Sequence, residues 1–205
     1  CFTNNKHFTS DIWQIRLIEE CDLPPNMMNR RYKIFPHLYL SEYDWSLYVD
    51  TNIAITGNPL DLALKYLSKY DMALPRHFAR NCIYKEAKEC YILGKAKYSA
   101  IIKQINNYKH IGFPKNFGLS ENGIILRKHN RENVIKIMND WWKELNSFTK
   151  RDQLSLAYVL WKNDEKFNFM EESARNGSGY FKYISHNEFK NRSVLLKAKD
   201  KIKIT

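Results

Sequence analysis

The chain has 205 residues, of which 44% are hydrophobic and 14% aromatic, and its formal net charge is +11. A chain of this length and composition buries enough apolar surface to fold as one domain without covalent cross-links. These values exclude disorder for most of the chain. The charge predicts a polyanionic partner such as a phosphorylated substrate, nucleic acid or an anionic membrane surface.

The four cysteines, Cys1, Cys21, Cys82 and Cys90, form no CxxC pair and no metal-finger spacing. Reduced thiols in a cytosolic setting are therefore expected. No apolar stretch approaches the roughly 20 residues of a spanning helix, and no signal peptide is visible. We predict a cytoplasmic protein, peripheral at the membrane, with one domain at residues 1–189 and a basic tail at 190–205.

The first half of the chain alternates between strand and helix patterns. Residues 12–18 begin with the apolar and polar alternation of a half-buried strand, and residues 26–35 predict a helix that Pro36 ends. Residues 45–50 are short, apolar and aromatic, which is typical of a central parallel strand.

A second helix is predicted after a clear start signal. Asn58 is a favoured N-cap, and Pro59 suits the first helical position. In a regular α-helix over residues 60–70, one face would carry the apolar side chains of Leu60, Ala63, Leu64 and Leu67.

The second half continues the same alternation. Strands are predicted at residues 72–75, 123–127 and 180–184, and helices at residues 80–94, 100–108, 133–145 and 149–160. Strands that alternate with helices indicate an α/β fold with a mostly parallel sheet flanked by helices.

The end of the strand at residues 45–50 carries the first candidate site. Asp50 and Asn52 flank Thr51, so both side chains are able to face one cleft. Open α/β sheets bind ligands at the carboxyl ends of their strands, and hard oxygen atoms suit a divalent cation. A loop-starting Asp that caps the next turn is the alternative interpretation.

A series of short motifs occurs in a fixed order along the chain. They are Arg30-x-x-Lys33-x-x-Pro36-His37, Tyr43-Asp-Trp45-Ser-Leu-Tyr-Val-Asp50, Pro75-Arg-His77-x-x-Arg80-x-x-x-Tyr84-x-Glu86-Ala87, Tyr108-x-x-Ile-Gly112, Gly118-Leu-x-Glu121-x-Gly123-Ile-Ile-Leu-Arg127, Asp140-Trp141-Trp142-x-Glu144 and Arg151-Asp152-Gln153-Leu154-Ser155. This order resembles a glycosyltransferase-like family, once catalogued as a domain of unknown function, with plant mucilage-related and bacterial polysaccharide members.

The resemblance covers residues 2–160 and implies a GT-A-like, Rossmann-type fold. It implies transfer of a sugar from a nucleotide-diphosphate donor to a saccharide or lipid-linked acceptor. Such domains usually begin with a strand that lies before the position of Phe2, so we expect the first strand to be absent from this chain. They also usually carry Asp-x-Asp at the metal site, where this chain has Asn52.

The resemblance also implies roles on the donor side. Arg30 and Lys33 would face the diphosphate, because guanidinium and ammonium groups bind phosphate. His77 and Arg80 would bind the donor sugar or its phosphate, with Gln153 beside them. A solvated basic face and a structural loop histidine are the alternatives.

On the acceptor side, Glu121 and Trp141 would hold the acceptor. Asp152 would be the catalytic carboxylate, either as acceptor base or as a group that stabilises developing positive charge. Thr149 and Asp152 also fit a capping box before a helix, which needs no catalysis.

The implied cofactor is Mn²⁺ or Mg²⁺, bound by Asp50, Asn52 and His186. Because an amide oxygen is a weaker ligand than a carboxylate, Asn52 leaves the metal either weakly bound or dispensable.

Three other functions stay open. A non-catalytic domain that binds sugar or nucleotide is suggested by Asn52 and the absent first strand. A nucleic-acid-binding module is suggested by the charge and aromatic content, although no binding signature is present. A lipid-amide hydrolase, which the resemblance also brings in, lacks a Ser-His-Asp order or metal-triad motif.

Overall fold

The computed structural model describes residues 1–18 and 22–184. Within these ranges the strands are β1 Phe2–Thr3, β2 Arg16–Leu17, β3 Ser46–Val49, β4 Ile53–Ile55, β5 Met72–Pro75, β6 Ile124–Arg127, β7 Phe169–Met170 and β8 Phe181–Tyr183. The α-helices are α1 Pro25–Ile34, α2 Pro36–Tyr39, α3 Pro59–Leu62, α4 Ile83–Ile92, α5 Tyr98–His110, α6 Glu132–Ser147 and α7 Leu156–Lys162.

The central sheet has the strand order β3-β6-β5-β7. The α/β class is confirmed, but the expected mostly parallel sheet is wrong for neighbouring strands. β6 lies antiparallel to both β3 and β5, and only β5 and β7 pair in parallel. β3, β5 and β7 nevertheless point the same way, because β6 alone is reversed. The alternation of strands and helices along the chain predicts which elements follow one another. It does not predict the direction of each strand within the sheet.

Strand β6 is buried on both faces, which explains the apolar run Ile124–Ile125–Leu126. Ile125 belongs to a larger core, whereas Ile124 and Leu126 belong to a smaller core. Successive side chains of a strand point to opposite faces, so the two cores lie on opposite sides of the sheet. A strand that is covered on both sides favours apolar residues. The exception is Arg127 at its end, which is buried but donates hydrogen bonds.

Helix α6 supplies a large part of the main core. Its buried side chains are Val134, Ile137, Met138, Trp141 and Leu145, at the spacing of one helical face. They pack with buried residues of α1, α4, α5 and α7. The predicted helices at residues 26–35, 80–94, 100–108 and 133–145 are therefore confirmed, with boundaries that differ by a few residues.

The predicted helix at residues 60–70 has a different buried face. α3 gives way to a π-helical turn at Ala63–Leu67. A π turn holds more residues than an α turn and shifts the phase of the side chains. The buried residues are therefore Leu62, Ala63, Tyr66 and Leu67, while Leu60 and Leu64 are 50% and 67% exposed.

The N-terminal strand pattern at residues 12–18 gives only the two-residue strand β2, which pairs in parallel with β1. Ile12 and Trp13 are exposed, so the alternation does not mark a buried face there. Strands β4 and β8 form a separate antiparallel pair, which confirms the expected strand near residues 180–184.

Among the described cysteines, Cys1 is exposed, and Cys82 and Cys90 are buried, each as a free thiol. Across the two described ranges, no helix combines the length and the apolarity needed to cross a lipid bilayer. The predicted tail at 190–205 and His186 lie outside the described residues.

Candidate functional site

A cleft of about 700 Å³ opens at one edge of the central sheet. It lies where β3 and β5 end and where β6 begins. Because β6 is antiparallel to both neighbours, its first residues come to the same edge as their last residues. Asp50 donates its backbone N–H to the Gly123 carbonyl at 2.8 Å, and Glu121 donates to the Pro75 carbonyl at 2.9 Å. The reversed strand therefore brings Asp50 and Glu121 to one site.

Nine of the predicted site residues line this cleft. They are Arg30, Lys33, Asp50, Asn52, His77, Arg80, Glu121, Asp152 and Gln153. They come from α1, the ends of β3 and β5, the segment before β6, and a 3-10 turn at Asp152–Leu154. The motifs that follow one another along the chain therefore contribute residues to a single cleft.

A buried ion pair lies at the base of the cleft. The Lys33 ammonium is 2.6 Å from Asp152 Oδ2 and 3.9 Å from Asp50 Oδ1. The side chains of Lys33 and Asp152 are only 4% and 13% exposed, whereas that of Asp50 is 43% exposed. Lys33 also lies over the Tyr48 ring, 4.9 Å from its centroid. The Lys33 ammonium thus pairs with the carboxylates of Asp152 and Asp50 and orients them.

A hydrogen bond from the central sheet fixes the α1 backbone at Lys33. Arg127, on β6, is fully buried and donates a hydrogen bond from its guanidinium to the Lys33 carbonyl. Burial lowers the pKa of Arg127 to about 9. This contact ties the helix that carries Lys33 to the sheet that carries the Asp50 strand.

The Asp152 carboxylate is ionised at neutral pH. Burial by itself raises its pKa, but attraction to Lys33, the Lys33 hydrogen bond and nearby Arg30 and Arg151 outweigh burial and bring the pKa down to about 2. A carboxylate with so low a pKa is a poor proton acceptor. Of the two roles expected for Asp152, stabilisation of positive charge fits this environment better.

The low pKa of Asp152 predicts a dependence of stability on acid. Its folded-state pKa of about 2 lies below the reference value of 3.8. Its contribution, about 2 kcal/mol, is therefore present above pH 4 and lost as the pH falls from about 4 to 2. In urea unfolding at pH 5 and pH 2.5, the stability difference between wild type and Asp152→Asn should shrink by about 1.5 kcal/mol, because part of the contribution is still present at pH 2.5. An unchanged difference would contradict the assignment.

Trp141 requires a correction. Its side chain has no exposed surface, so it does not contact an acceptor. Its indole N–H instead lies 3.0 Å from Ser155 Oγ and 3.3 Å from the Asp152 carbonyl. Trp141 therefore supports the turn that presents Asp152. Its neighbour Trp142 packs against Phe35, with ring centroids 5.2 Å apart.

Thr149 and Asp152 do not form the capping box that was the alternative interpretation. Thr149 donates its hydroxyl to Gln104 Oε1 at 2.7 Å, and Arg151 is the N-cap of the 3-10 turn. One Asp152 oxygen accepts the Gln153 N–H at 3.1 Å, and the other accepts Lys33. The carboxylate thus faces the cleft and is not used to cap a helix at Thr149.

Asp50 is oriented by its own strand. The Tyr48 hydroxyl donates to Asp50 Oδ1 at 2.7 Å. Burial, followed by the nearby Asp50 charge, raises the pKa of Tyr48 far above its ordinary value, which keeps this donor protonated. Tyr48 and Asp50 are two residues apart, so the alternation of a strand places them on one face.

Gly123 leaves room for the Asp50 carboxylate. A Cβ at position 123 would lie 3.0 Å from Asp50 Oδ2 and 3.2 Å from Ile53 Cδ1. We therefore expect Gly123→Ala to displace the carboxylate and to weaken ligand binding about tenfold, at little cost in stability. Nucleotide titration and thermal melting of the variant check this. Ala54→Gly, on β4 and outside the cleft lining, is the control.

Three buried donors of cleft-lining residues have no partner among the described residues. They are Arg30 Nε, Asn122 Nδ2 and Arg151 Nε. Asn122 is 2% exposed, and its Oδ1 accepts the Ser120 hydroxyl, which leaves the amide nitrogen unused. Buried donors are normally paired, so these three indicate where a ligand supplies acceptor oxygens.

His77 is part of a buried polar cluster around Glu86. Its Nδ1 accepts the N–H groups of Ala79 and Arg80, so it closes the loop after β5. Glu86 Oε2 lies 2.5 Å from Arg80 Nε and 3.6 Å from His77 Nε2. Glu86 thus pairs with Arg80 although Glu86 is buried. Burial lowers the pKa of His77, although the Glu86 charge opposes this.

Glu121 also lines the cleft, on the segment that pairs with the end of β5. Arg175 Nε is 2.8 Å from Glu121 Oε1, and the guanidinium lies between the rings of Phe78 and Tyr183, at 4.5 and 4.6 Å. Burial raises the pKa of Glu121, whereas Arg175 acts in the opposite direction. This wall combines a carboxylate with aromatic surfaces, which is the chemistry that sugar hydroxyls and ring faces require.

The metal site is only partly described. Asp50 and Asn52 both line the cleft, while His186 falls outside the described residues. Within residues 1–18 and 22–184, no three His, Cys, Asp or Glu side chains converge as a metal-binding group. Two hard oxygen ligands fit a cation such as Mg²⁺, which takes its other ligands from substrate phosphates and water.

The structure adds residues that the sequence analysis did not select. Tyr48 had a signal, because it precedes Asp50 by two positions on a strand. Asn122 and Gly123 lay inside a recognised motif but without a role. Arg175 had no signal, since it follows Glu121 by more than 50 residues and only the fold brings them together.

Comparisons with known proteins identify the family of the chain. A sequence model described as the TOD1/MUCI70 glycosyltransferase-like domain matches residues 3–177. The chain is 25% identical over 170 residues to a probable hexosyltransferase, MUCI70, of Arabidopsis thaliana. The match covers 77% of this chain but only 29% of the plant protein. No solved structure matches. The chain belongs to the TOD1/MUCI70 glycosyltransferase-like domain family.

Proposed function

We propose that this chain is a GT-A-type glycosyltransferase domain that transfers a sugar from a nucleotide diphosphate to a saccharide or lipid-linked acceptor. The observation that carries the proposal is the cleft at the sheet edge, where Asp152 is held ionised by Lys33. Cationic and carboxylate groups from distant segments converge there. Family membership and the name of the plant relative support the same reaction class.

The donor diphosphate would bind beside α1 and α4. Arg30 and Arg80 line this part of the cleft, and Arg30 retains a buried donor without a partner among the described residues. Guanidinium groups bind phosphate oxygens in a bidentate manner. Gln153, whose Oε1 accepts a hydrogen bond from Arg151, would add a polar contact. Lys33 acts differently from the expectation, since it positions Asp152 and leaves phosphate contact to the arginines.

Asp152 would stabilise the positive charge that develops on the donor sugar. As the bond from the anomeric carbon to phosphate breaks, the electron pair leaves with the diphosphate and the sugar carbon becomes cationic. A fixed, ionised carboxylate in a partly dehydrated site stabilises such charge strongly. The low pKa of Asp152 supports this role over that of acceptor base.

Glu121 would hold the acceptor hydroxyl. The acceptor oxygen forms the new bond to the anomeric carbon and loses its proton as it does so. Glu121 lines the cleft, and its pKa is raised by burial, so it is a better proton acceptor than Asp152. Phe78 lies beside it, 64% exposed, as a surface for a sugar ring.

A divalent cation fits the proposal through Asp50 and Asn52. These residues would hold Mn²⁺ or Mg²⁺ together with the donor phosphates. When bound, the ion would neutralise charge on the departing diphosphate. Because only one of the two residues is a carboxylate, we expect the protein to bind the ion weakly without the nucleotide.

Thermal unfolding with nucleotides tests the proposal. Uridine and guanosine diphosphates and their sugar conjugates are added with and without MnCl₂. A diphosphate at 100 times its dissociation constant should stabilise the protein by about 2.7 kcal/mol. Arg30→Ala should reduce this shift, whereas Arg131→Ala, outside the cleft, should not. If no nucleotide diphosphate raises the melting temperature, the transferase proposal fails.

A non-catalytic binding domain is the second candidate, and Asn52 is the observation that favours it. Such a domain would bind nucleotide sugar but would not release nucleotide diphosphate in the presence of acceptors. Incubation with the bound nucleotide sugar and a panel of saccharides distinguishes the two. The Asn52→Asp variant adds a carboxylate ligand and should strengthen metal-dependent binding in either case.

A further inference from the structure

An exposed apolar tip lies between α4 and α5, beside the mouth of the cleft. Tyr91, Ile92, Leu93 and Tyr98 are 53%, 62%, 55% and 58% exposed. Exposed large apolar groups in a contiguous set mark interaction surfaces more often than single ones do. Ile102, one turn after Tyr98 on α5, is also exposed and extends the same surface.

The tip has a defined shape. α4 ends with Gly94 in the left-handed region at φ 61°, and Lys95 donates its N–H to the Cys90 carbonyl at 2.8 Å. This is a Schellman ending, which turns the chain sharply into α5. The Tyr91 and Tyr98 rings lie 4.9 Å apart, so the ends of both helices present one surface. Contacts among buried residues such as Ala87 and Ile101 hold the helix pair in the main core.

The charges around this tip have one sign. From residue 85 to residue 103, the exposed charged side chains are all lysines, namely Lys85, Lys88, Lys95, Lys97 and Lys103. Of the two acids of this segment, Glu86 is buried. Glu89, whose side chain is 36% exposed, lines the cleft and lies 3.8 Å from the Arg80 guanidinium. Apolar and aromatic side chains flanked by lysines match the boundary between lipid headgroups and acyl chains.

We propose that the α4–α5 tip docks on an anionic lipid bilayer and holds the mouth of the cleft at the membrane surface. Ile92, Leu93 and the tyrosine rings enter the headgroup region, and the lysines contact lipid phosphates. Leu93 and Lys95 belong both to the tip and to the cleft wall, so the docked cleft opens next to the lipid. If the proposed transfer is correct, this placement favours a lipid-linked acceptor over a soluble saccharide.

Vesicle co-sedimentation tests the docking without reference to activity. The full chain is mixed with vesicles of phosphatidylcholine alone or with 30 mol% phosphatidylglycerol. We expect binding to the anionic vesicles only, and weaker binding at high salt. The variant Lys88→Gln/Ile92→Ser/Lys97→Gln/Tyr98→Ser should bind them at least about tenfold more weakly. None of its four positions lines the cleft.

A matched variant separates the tip from general surface hydrophobicity. Leu60→Ser/Leu64→Ser removes two exposed leucines from a different groove and should bind vesicles like wild type. Melting temperatures show that each variant is folded, and a retained nucleotide shift shows an intact cleft. The docking proposal is overturned if the wild-type protein does not bind anionic vesicles. It is also overturned if the quadruple variant binds them as tightly as wild type, which is the result expected if the basic tail alone binds the membrane. Either result leaves the transferase proposal standing.

Discussion

The Asp152→Asn variant is expected to lose at least about 100-fold in transfer rate and about 3 kcal/mol in stability. The loss in rate follows because a neutral amide does not stabilise a cationic sugar. The loss in stability follows because Lys33, only 4% exposed, is left without its partner at 2.6 Å. In a chain of this size, the melting temperature should fall by roughly 10 °C. Urea unfolding and product release measure the two effects.

Two further variants separate the roles of Asp152. Replacing both partners, in Lys33→Met/Asp152→Leu, should recover most of the stability but none of the activity, because an apolar pair carries no buried charge. Asp140→Asn removes the exposed ion pair with Lys143 and should cost about 1 kcal/mol or less. If Asp152→Asn kept wild-type activity while folded, the carboxylate would not be catalytic.

The Asp50→Ala variant is expected to lose the manganese-dependent part of nucleotide binding. Asp50 is the one carboxylate of the predicted metal pair, and its side chain is 43% exposed toward the cleft. The affinity for a nucleotide diphosphate in MnCl₂ should fall at least about tenfold, which corresponds to about 1.4 kcal/mol. The fold should change little, since Asp50 is not in the core. Titration calorimetry with and without MnCl₂ measures the affinity for the nucleotide diphosphate and the part of it that depends on manganese.

Asp44→Ala is the matched control for Asp50. Asp44 precedes the same strand at its other end, is exposed and does not line the cleft. Its removal should leave nucleotide affinity unchanged in either buffer. If Asp50→Ala and Asp44→Ala behaved alike, the end of β3 would not be the metal and diphosphate site.

Most residues of the candidate site were predictable, because they lie in short motifs whose order along the chain resembles that of the family. Arg30, Asp50, His77, Glu121 and Asp152 all line one cleft, as the resemblance implies. The order of motifs does not report burial, however. Lys33 is therefore found under the cleft in an ion pair, and Trp141 is found in the core.

Local patterns determined which segments form helices and strands. The spacing of apolar residues located α6, and the run of residues 45–50 located β3, because side-chain periodicity follows from backbone geometry. The same rule failed where the backbone left the regular period. The π turn at Ala63–Leu67 moved the buried face from Leu60 and Leu64 to Leu62 and Tyr66.

By itself, the sequence determined the class of fold, the two strong site segments around Asp50 and Asp152, and the family. Only the tertiary structure decided that β6 is reversed, which brings Glu121 and Asp50 to the same edge of the sheet, and that Arg175 meets Glu121. It also decided the state of Asp152, because the pKa of a carboxyl depends on its burial and on charges that are distant in sequence. Lys33 lies 119 positions before Asp152 in the chain, yet it is what keeps that carboxylate ionised.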